Sequence, residues 1–186
     1  GTDVAQMLEA RGRLSPEDAV RITSAVLSGL ECAHAAGIIH RDIKPANVMV
    51  GRFGEVVLMD WGLAKLMPSV PSTDEPAESE SSEFTGTPAY MSPEQAAGLR
   101  VDSATDLYAL GCLIMTMMTG RPPFDGDQAV MVASSQINEM PPRLLSRRPD
   151  APQALDALVG RLLAKNPAER PDTEAVLRAL DQIAAD

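Results

Sequence analysis

The stretch that most constrains this chain is residues 107–118, Leu-Tyr-Ala-Leu-Gly-Cys-Leu-Ile-Met-Thr-Met-Met, which carries no charge on any side. Asp102 or Ser103 can cap its start, and Gly120 with Pro122 and Pro123 closes it, so the spacing predicts one helix running to Thr119. The apolar run is too short to span a bilayer, which takes about 20 residues. A helix that is apolar all round must instead lie inside a domain, surrounded by other elements. The rest of the sequence has to supply that wrapping.

Most of the wrapping reads as helix. Thr2 or Asp3 caps a helix over residues 2–10, with Val4, Met7 and Leu8 on one face. Ser15-Pro16-Glu17-Asp18 combines a serine cap, a first-turn proline and acids at the positive end of the dipole. Ala19, Ile22, Val26, Leu30 and Ala33 then recur at helical spacing until Gly37 stops the helix. Weaker helices are expected over 127–137, 153–164 and 173–184, the last capped by Asp172. Ile38-Ile39 leads into a polar loop. The β-branched runs 48–50 and 56–59, separated by Gly51-Arg52-Phe53-Gly54-Glu55, predict a small hairpin. Residues 65–83, rich in proline, serine and acid, have no periodicity and read as a surface loop.

With 186 residues the chain suits one domain. Aromatics are only 3% of it, so the ten methionines, with Leu, Val and Ala, are expected to fill the core. Cys32 and Cys112 both fall in apolar helical patterns and are expected as buried free thiols of a reducing compartment. The net charge of −10 argues against general nucleic-acid binding. Half of it comes from five acids within residues 69–83: Asp74, Glu75, Glu78, Glu80 and Glu83.

Chemistry concentrates in His40-Arg41-Asp42-Ile43-Lys44-Pro45-Ala46-Asn47, followed by Asp60-Trp61-Gly62, Gly86-Thr87-Pro88 and Ser92-Pro93-Glu94. Phosphoryl transfer to a hydroxyl needs the acceptor held in line, its proton accepted and the phosphate charge neutralised. Asp42 can take the proton, and the Lys44 ammonium can reach the phosphate. Asn47 and Asp60 supply the hard oxygen ligands that Mg²⁺ prefers, from the two sides of the expected hairpin.

This series resembles the signature of the eukaryotic-type Ser/Thr protein kinases, in a bacterial wording. In that family the histidine-arginine-aspartate loop reaches an asparagine five residues past the aspartate, as Asp42 and Asn47 do. The aspartate-phenylalanine-glycine element stands here as Asp60-Trp61-Gly62, and alanine-proline-glutamate as Ser92-Pro93-Glu94. Lys44 is similar to the lysine of Ser/Thr rather than tyrosine kinases. The resemblance implies Asp42, Lys44, Asn47 and Asp60 as catalytic residues, with Asn47 and Asp60 on the metal. It implies Thr87 in substrate docking, Asp106 bracing the catalytic loop, and Arg170 paired with Glu94. His40 would be structural. Arg41 would answer to a phosphate on the activation segment, residues 60–94. Ser79, Ser81, Ser82 and Thr85 are candidate acceptors of that phosphate, or simply solvated loop residues. No chemistry is expected of His34.

The fold expected is mainly α: a protein-kinase-like C-terminal lobe over residues 1–186, with a buried central helix, one or two short hairpins at the catalytic loop and the N-terminal lobe absent. No lysine precedes Lys44 and no Gly-x-Gly occurs, so the chain alone is expected to transfer phosphate poorly or not at all. The implied cofactors are ATP and Mg²⁺, with Mn²⁺ as the alternative ion. The implied partners are protein substrates, the protein itself among them, with no nucleic acid and no membrane contact from this segment. The implied location is the cytoplasm, free or as the cytoplasmic portion of a membrane-anchored protein. The rival from another class is a pseudokinase acting as a scaffold, against which stand all four polar catalytic positions. A small-molecule kinase fits less well, because residues 86–94 resemble a protein-substrate docking loop.

Overall fold

The computed structural model describes residues 1–66 and 86–185. Its centre is a helix, α4 (Ser103–Thr119), in which every residue from Thr105 to Met118 is buried. Asp102 caps it by accepting the Ala104 amide at 2.8 Å, and Gly120 ends it in the left-handed region at φ 78°. Around α4 pack α2 (Pro16–Ala35) and α7 (Gln153–Leu162), with α8 (Thr173–Ala185) lying across both of these. Gly111 marks the closest approach. A Cβ there would stand 2.9 Å from Leu162 Cβ and 3.0 Å from Leu163 Cδ2, so only glycine lets α7 sit this near.

The remaining helices are α1 (Val4–Arg11), α3 (Pro93–Ala96), α5 (Ala129–Asn138) and α6 (Leu144–Arg147). Side-chain caps fix further helix starts: Asp3 accepts from Gln6 N, Ser15 from Asp18 N, Ser92 from Gln95 N, and Asp172 from Ala175 N, at 2.8, 3.1, 3.2 and 2.7 Å. Of the two expected caps, Thr2 and Asp3, it is Asp3 that serves, so the first helix begins at Val4, and Thr2 and Asp3 form a strand, β1 (Thr2–Asp3), against β3 (Val48–Val50). With β4 (Val56–Leu58) these make an antiparallel sheet in the order β1-β3-β4, and the predicted hairpin pairs Val48 with Leu58 and Val50 with Val56.

A second small sheet corrects the expectation for Lys65 and Leu66. They are a strand, β5 (Lys65–Leu66), paired antiparallel with β2 (Ile38–Ile39). Two-residue strands lack the length for an alternating pattern, so the pairing left no trace in the sequence. Cys32 is exposed, contrary to expectation, while Cys112 is buried. Cys32 lies two residues past the buried Leu30, about 200° round the helix from the core stripe. The methionines also divide. Met115, Met117 and Met118 are in the core, whereas Met59, Met131 and Met140 are exposed. Among the described residues no helix is long and apolar enough to cross a membrane.

Candidate functional site

The two sheets bring the polar motifs together. Strand β2 delivers the chain into residues 40–47, and β5, separated from Asp60-Trp61-Gly62 by two residues, returns it to β2. The hairpin register does the same from the other side. Asn47 precedes β3, Met59 follows β4, and Met59 N donates to Asn47 O at 2.8 Å. Asn47 and Asp60 are thereby held at the same open end of one hairpin.

Only two non-glycine residues among those described have positive φ, Arg41 at 70° and Asp60 at 58°. Each such position costs about 1–2 kcal/mol for an L-residue, so neighbours have to hold it. For Arg41 the holder is Asp106, fully buried near the start of α4. Its Oδ1 accepts from Arg41 N at 2.9 Å, and its Oδ2 accepts from His40 N at 2.9 Å. His34 Nε2 lies 2.7 Å from the same Oδ2. Gln95 adds a donor from the opposite side, with Nε2 bonded to Arg41 O at 2.9 Å. His40 is fully buried between two backbone groups: its Nδ1 accepts from Asp42 N at 3.2 Å and its Nε2 donates to Met59 O at 2.9 Å. Those partners select the Nε2–H tautomer. Its ring meets Trp61 edge to face at 4.5 Å between centroids, linking residues 40–42 to residues 60–62.

Asp42 sits at the centre, buried except for its mouth. Asn47 Nδ2 donates to Asp42 O at 2.8 Å and to Asp42 Oδ2 at 3.0 Å. Lys44 Nζ lies 2.7 Å from the same Oδ2 and also donates to Thr87 Oγ1 at 3.1 Å. One carboxylate oxygen is therefore anchored twice, and Oδ1 takes no hydrogen bond from any described residue. Asn47 spends its NH₂ on Asp42, which leaves its own Oδ1 with no described donor. Asp60 is exposed, and its Oδ1 is steadied by Gly62 N at 3.3 Å. Among the described residues no group of three or more His, Cys, Asp or Glu could hold a metal by itself. The Asn47 Oδ1 and the exposed Asp60 carboxylate nonetheless fit Mg²⁺, which is commonly bound by one or two protein oxygens and completed by substrate phosphates and water.

Glu94 and Arg170 meet away from this mouth. Arg170 Nη1 and Nη2 reach Glu94 Oε1 and Oε2 at 2.7 and 2.8 Å, a bidentate pair. Thr105 Oγ1 donates to Glu94 Oε1 at 2.8 Å, and Arg170 also donates to the Ala104, Ala164 and Lys165 carbonyls. Burial alone would push the Glu94 carboxyl up; the Arg170 guanidinium, a backbone amide and Thr105 together hold it below its ordinary value. The guanidinium lies 5.0 Å from the Tyr108 ring centroid.

The structure thus gathers Asp42, Lys44, Asn47 and Thr87 into one hydrogen-bonded group, places Asp60 beside it, and sets Arg41 and Asp106 behind it. Glu94 and Arg170 form a separate anchor. Ser79, Ser81, Ser82 and Thr85 lie outside the described residues. Sequence reasoning missed His34, Gln95 and Gln136, all of which touch this framework. His34 is 72 positions from its partner Asp106 and Gln95 is 54 from Arg41, and no local pattern announces either contact.

Against known proteins, residues 1–180 match the family model described as "Protein kinase domain". Serine/threonine-protein kinase pkn3 of Myxococcus xanthus is 44% identical over 98% of this chain and 35% of its own length. Serine/threonine-protein kinase PknB of Mycolicibacterium smegmatis is 37% identical over 96% of this chain and 28% of its own length. The chain spans about a third of the length of these curated relatives.

Proposed function

The chain belongs to the protein kinase domain family, and from that premise we propose that the protein containing it transfers the γ-phosphate of ATP to serine and threonine hydroxyls of proteins. The observation that carries this reading is the Asp42 carboxylate: one oxygen fixed by Asn47 and Lys44, the other without a donor among the described residues. The open oxygen accepts the proton of an acceptor hydroxyl, which makes that hydroxyl nucleophilic as the bond to phosphorus forms. Lys44, already shared between Asp42 and Thr87, donates to the phosphoryl oxygens as charge builds on them. Thr87 keeps the Lys44 ammonium at the reacting end instead of letting it fold wholly onto Asp42.

Asn47 Oδ1 and the Asp60 carboxylate are the groups that would hold Mg²⁺ or Mn²⁺. When bound, the ion neutralises phosphate charge and aligns the nucleotide. Asp106, His34, His40 and Gln95 touch no substrate; they hold the positive-φ backbone from which Asp42 projects. Arg41 Nε is buried without a hydrogen-bond partner among the described residues, which supports a role in receiving a phosphate carried by Ser79, Ser81, Ser82 or Thr85.

The test is transfer from labelled ATP by the protein expressed from its whole reading frame, beside Asp42→Asn. Labelled phosphoserine or phosphothreonine with the native protein and none with Asp42→Asn is the expected result. A native protein silent with both Mg²⁺ and Mn²⁺ would overturn the reading and favour a scaffold that binds partners without turnover.

A further inference from the structure

One buried side chain is placed where neither the fold nor the chemistry above requires a polar group. Gln136 of α5 is fully buried, while Val130, Met131 and Ile137 of the same helix are exposed. A leucine or methionine would fill that position, and an amide is tolerated there only if its hydrogen bonds are made. They are made in one direction. Nε2 donates to Pro88 O at 3.1 Å and to Ala89 O at 3.0 Å, and Oε1 accepts from Tyr108 OH at 2.6 Å. Its backbone carbonyl takes the Lys165 ammonium at 2.7 Å, which fastens the same turn of α5 to the chain after α7.

Both carbonyls held by Gln136 belong to the 3₁₀ turn Pro88–Tyr90, and the residue before that turn is Thr87, whose hydroxyl holds Lys44. The route from core to mouth is continuous: Tyr108 in α4, Gln136 in α5, the Pro88–Ala89 backbone, Thr87, Lys44, Asp42. Thr87 is one contact from Lys44 and Lys44 one from Asp42, so the turn borders the place where an acceptor hydroxyl would meet Asp42. We propose that Gln136 is a positioning residue for the protein substrate, its amide fixing the Pro88–Ala89 backbone so that the surface beside Asp42 is formed before the acceptor arrives. The inference rests on the kinase reading and extends it to one residue of α5. Preformed surface lowers the ordering cost of binding, so its loss falls on acceptor affinity and spares the nucleotide.

The experiment compares native protein with Gln136→Met, which keeps volume and removes both donors, and with Tyr108→Phe, which frees the amide while keeping the ring. Steady-state transfer to a serine peptide is measured against both peptide and ATP. Gln136→Met should raise the peptide KM about tenfold, as losing hydrogen bonds from a fixed surface implies, and move the ATP KM less than twofold. Tyr108→Phe should shift the same constant in the same direction by less. A folded Gln136→Met with unchanged peptide KM, or with a fall in kcat alone, overturns the inference. Should Gln136→Met fail to fold, Tyr108→Phe and Gln136→Glu decide by the same criterion. A native protein that transfers no phosphate overturns the kinase reading instead. Hydrogen exchange at the Tyr90 and Met91 amides then reports the tether directly, faster exchange in the variants upholding it and unchanged exchange ending it.

Discussion

The mouth around Asp42 and the junction of Glu94 with Arg170 use the same materials, carboxylates facing cations, to opposite ends. At the junction everything is paired. All five Arg170 donors have partners: two on Glu94 and the others on the Ala104, Ala164 and Lys165 carbonyls. At the mouth Asp42 and Asn47 each keep one oxygen without a described donor, and Asp60 stands exposed on a positive-φ backbone. Saturated groups hold elements together. Unsaturated ones, held in place at a cost in strain, are left available to a ligand. The comparison therefore assigns stability to one region and chemistry to the other, and substitutions should separate the two.

After the loss expected of Asp42→Asn, the largest effect is expected at Asp60. Asp60→Ala should lower phosphate transfer by on the order of 10²–10³, the scale of losing a charge-stabilising group at a reacting phosphate. Asp60→Gly should lower transfer equally, yet raise stability by about 1 kcal/mol, because glycine adopts φ 58° without strain. Denaturant midpoints of the two variants give the answer. A glycine variant no more stable than the alanine one would mean that the backbone strain is not stored at this residue.

The junction should behave in reverse. Arg170→Ala leaves the Glu94 carboxylate buried and unpaired, which costs about 3–5 kcal/mol. Because Glu94 is held below its ordinary value of 4.5, its contribution is complete above that pH and is lost as the pH falls through the lowered folded-state value. Glu94→Gln should therefore flatten the acid limb of the stability profile. An acid limb unchanged in Glu94→Gln would place the linkage on other carboxylates.

Between these extremes stands Asp106, a saturated group serving an unsaturated site. Asp106→Asn puts an NH₂ where one oxygen now accepts, so a buried backbone donor at His40 or Arg41 loses its partner, at a cost of about 1–3 kcal/mol. Amide exchange at Arg41 should quicken while exchange in α7 stays slow. Equal quickening in both would show that Asp106 supports the whole domain and not the loop.

The same division explains what could be read from sequence. The central helix was legible because fourteen successive buried residues, Thr105 to Met118, leave no polar side to confuse the pattern. The hairpin was legible from β-branched runs around Gly51 and Gly54, and the caps at Ser15, Asp102 and Asp172 from local chemistry. The candidate site was legible as a string of motifs, since its residues lie close in sequence. What stayed hidden depends on contacts between distant segments. The β2–β5 pairing involves two residues on each side, too few for periodicity. His34, Gln95 and Gln136 are short polar side chains on otherwise ordinary helices, and only the packing of α2, α3 and α5 gives them partners. The exposure of Cys32 was hidden for a smaller reason. An apolar pattern fixes which stripe of a helix is buried, and a residue two positions from its edge falls outside it.

The smallest expected effect concerns Lys165, which belongs to both regions. Its ammonium donates to Gln136 O, lies 4.7 Å from the Phe124 ring centroid, and shares Tyr108 with Arg170. Burial first, and then the Arg170 charge, lower its pKa from 10.5 to about 8. A lysine whose pKa is lowered on folding binds fewer protons in the native state than in the unfolded chain between those two values. Stability therefore rises with pH from about 8 toward 10.5, the charged form being the disfavoured one at lower pH. The window has an upper bound, since burial raises the Cys112 thiol, Tyr90 (to about 12) and Tyr108, and ionisation in the unfolded chain opposes the trend from about pH 9 for the cysteine and near pH 10 for the tyrosines. Urea midpoints at pH 7.0, 8.0 and 9.0, roughly bracketing the lower part of that window, should climb gently in the native protein and, with the buried Cys112 thiol then unopposed, fall slightly toward pH 9.0 in Lys165→Met. A climb of equal size in both proteins would assign the proton to another group, and would leave Lys165 as a hydrogen-bond donor to α5 whose charge the fold accommodates without cost.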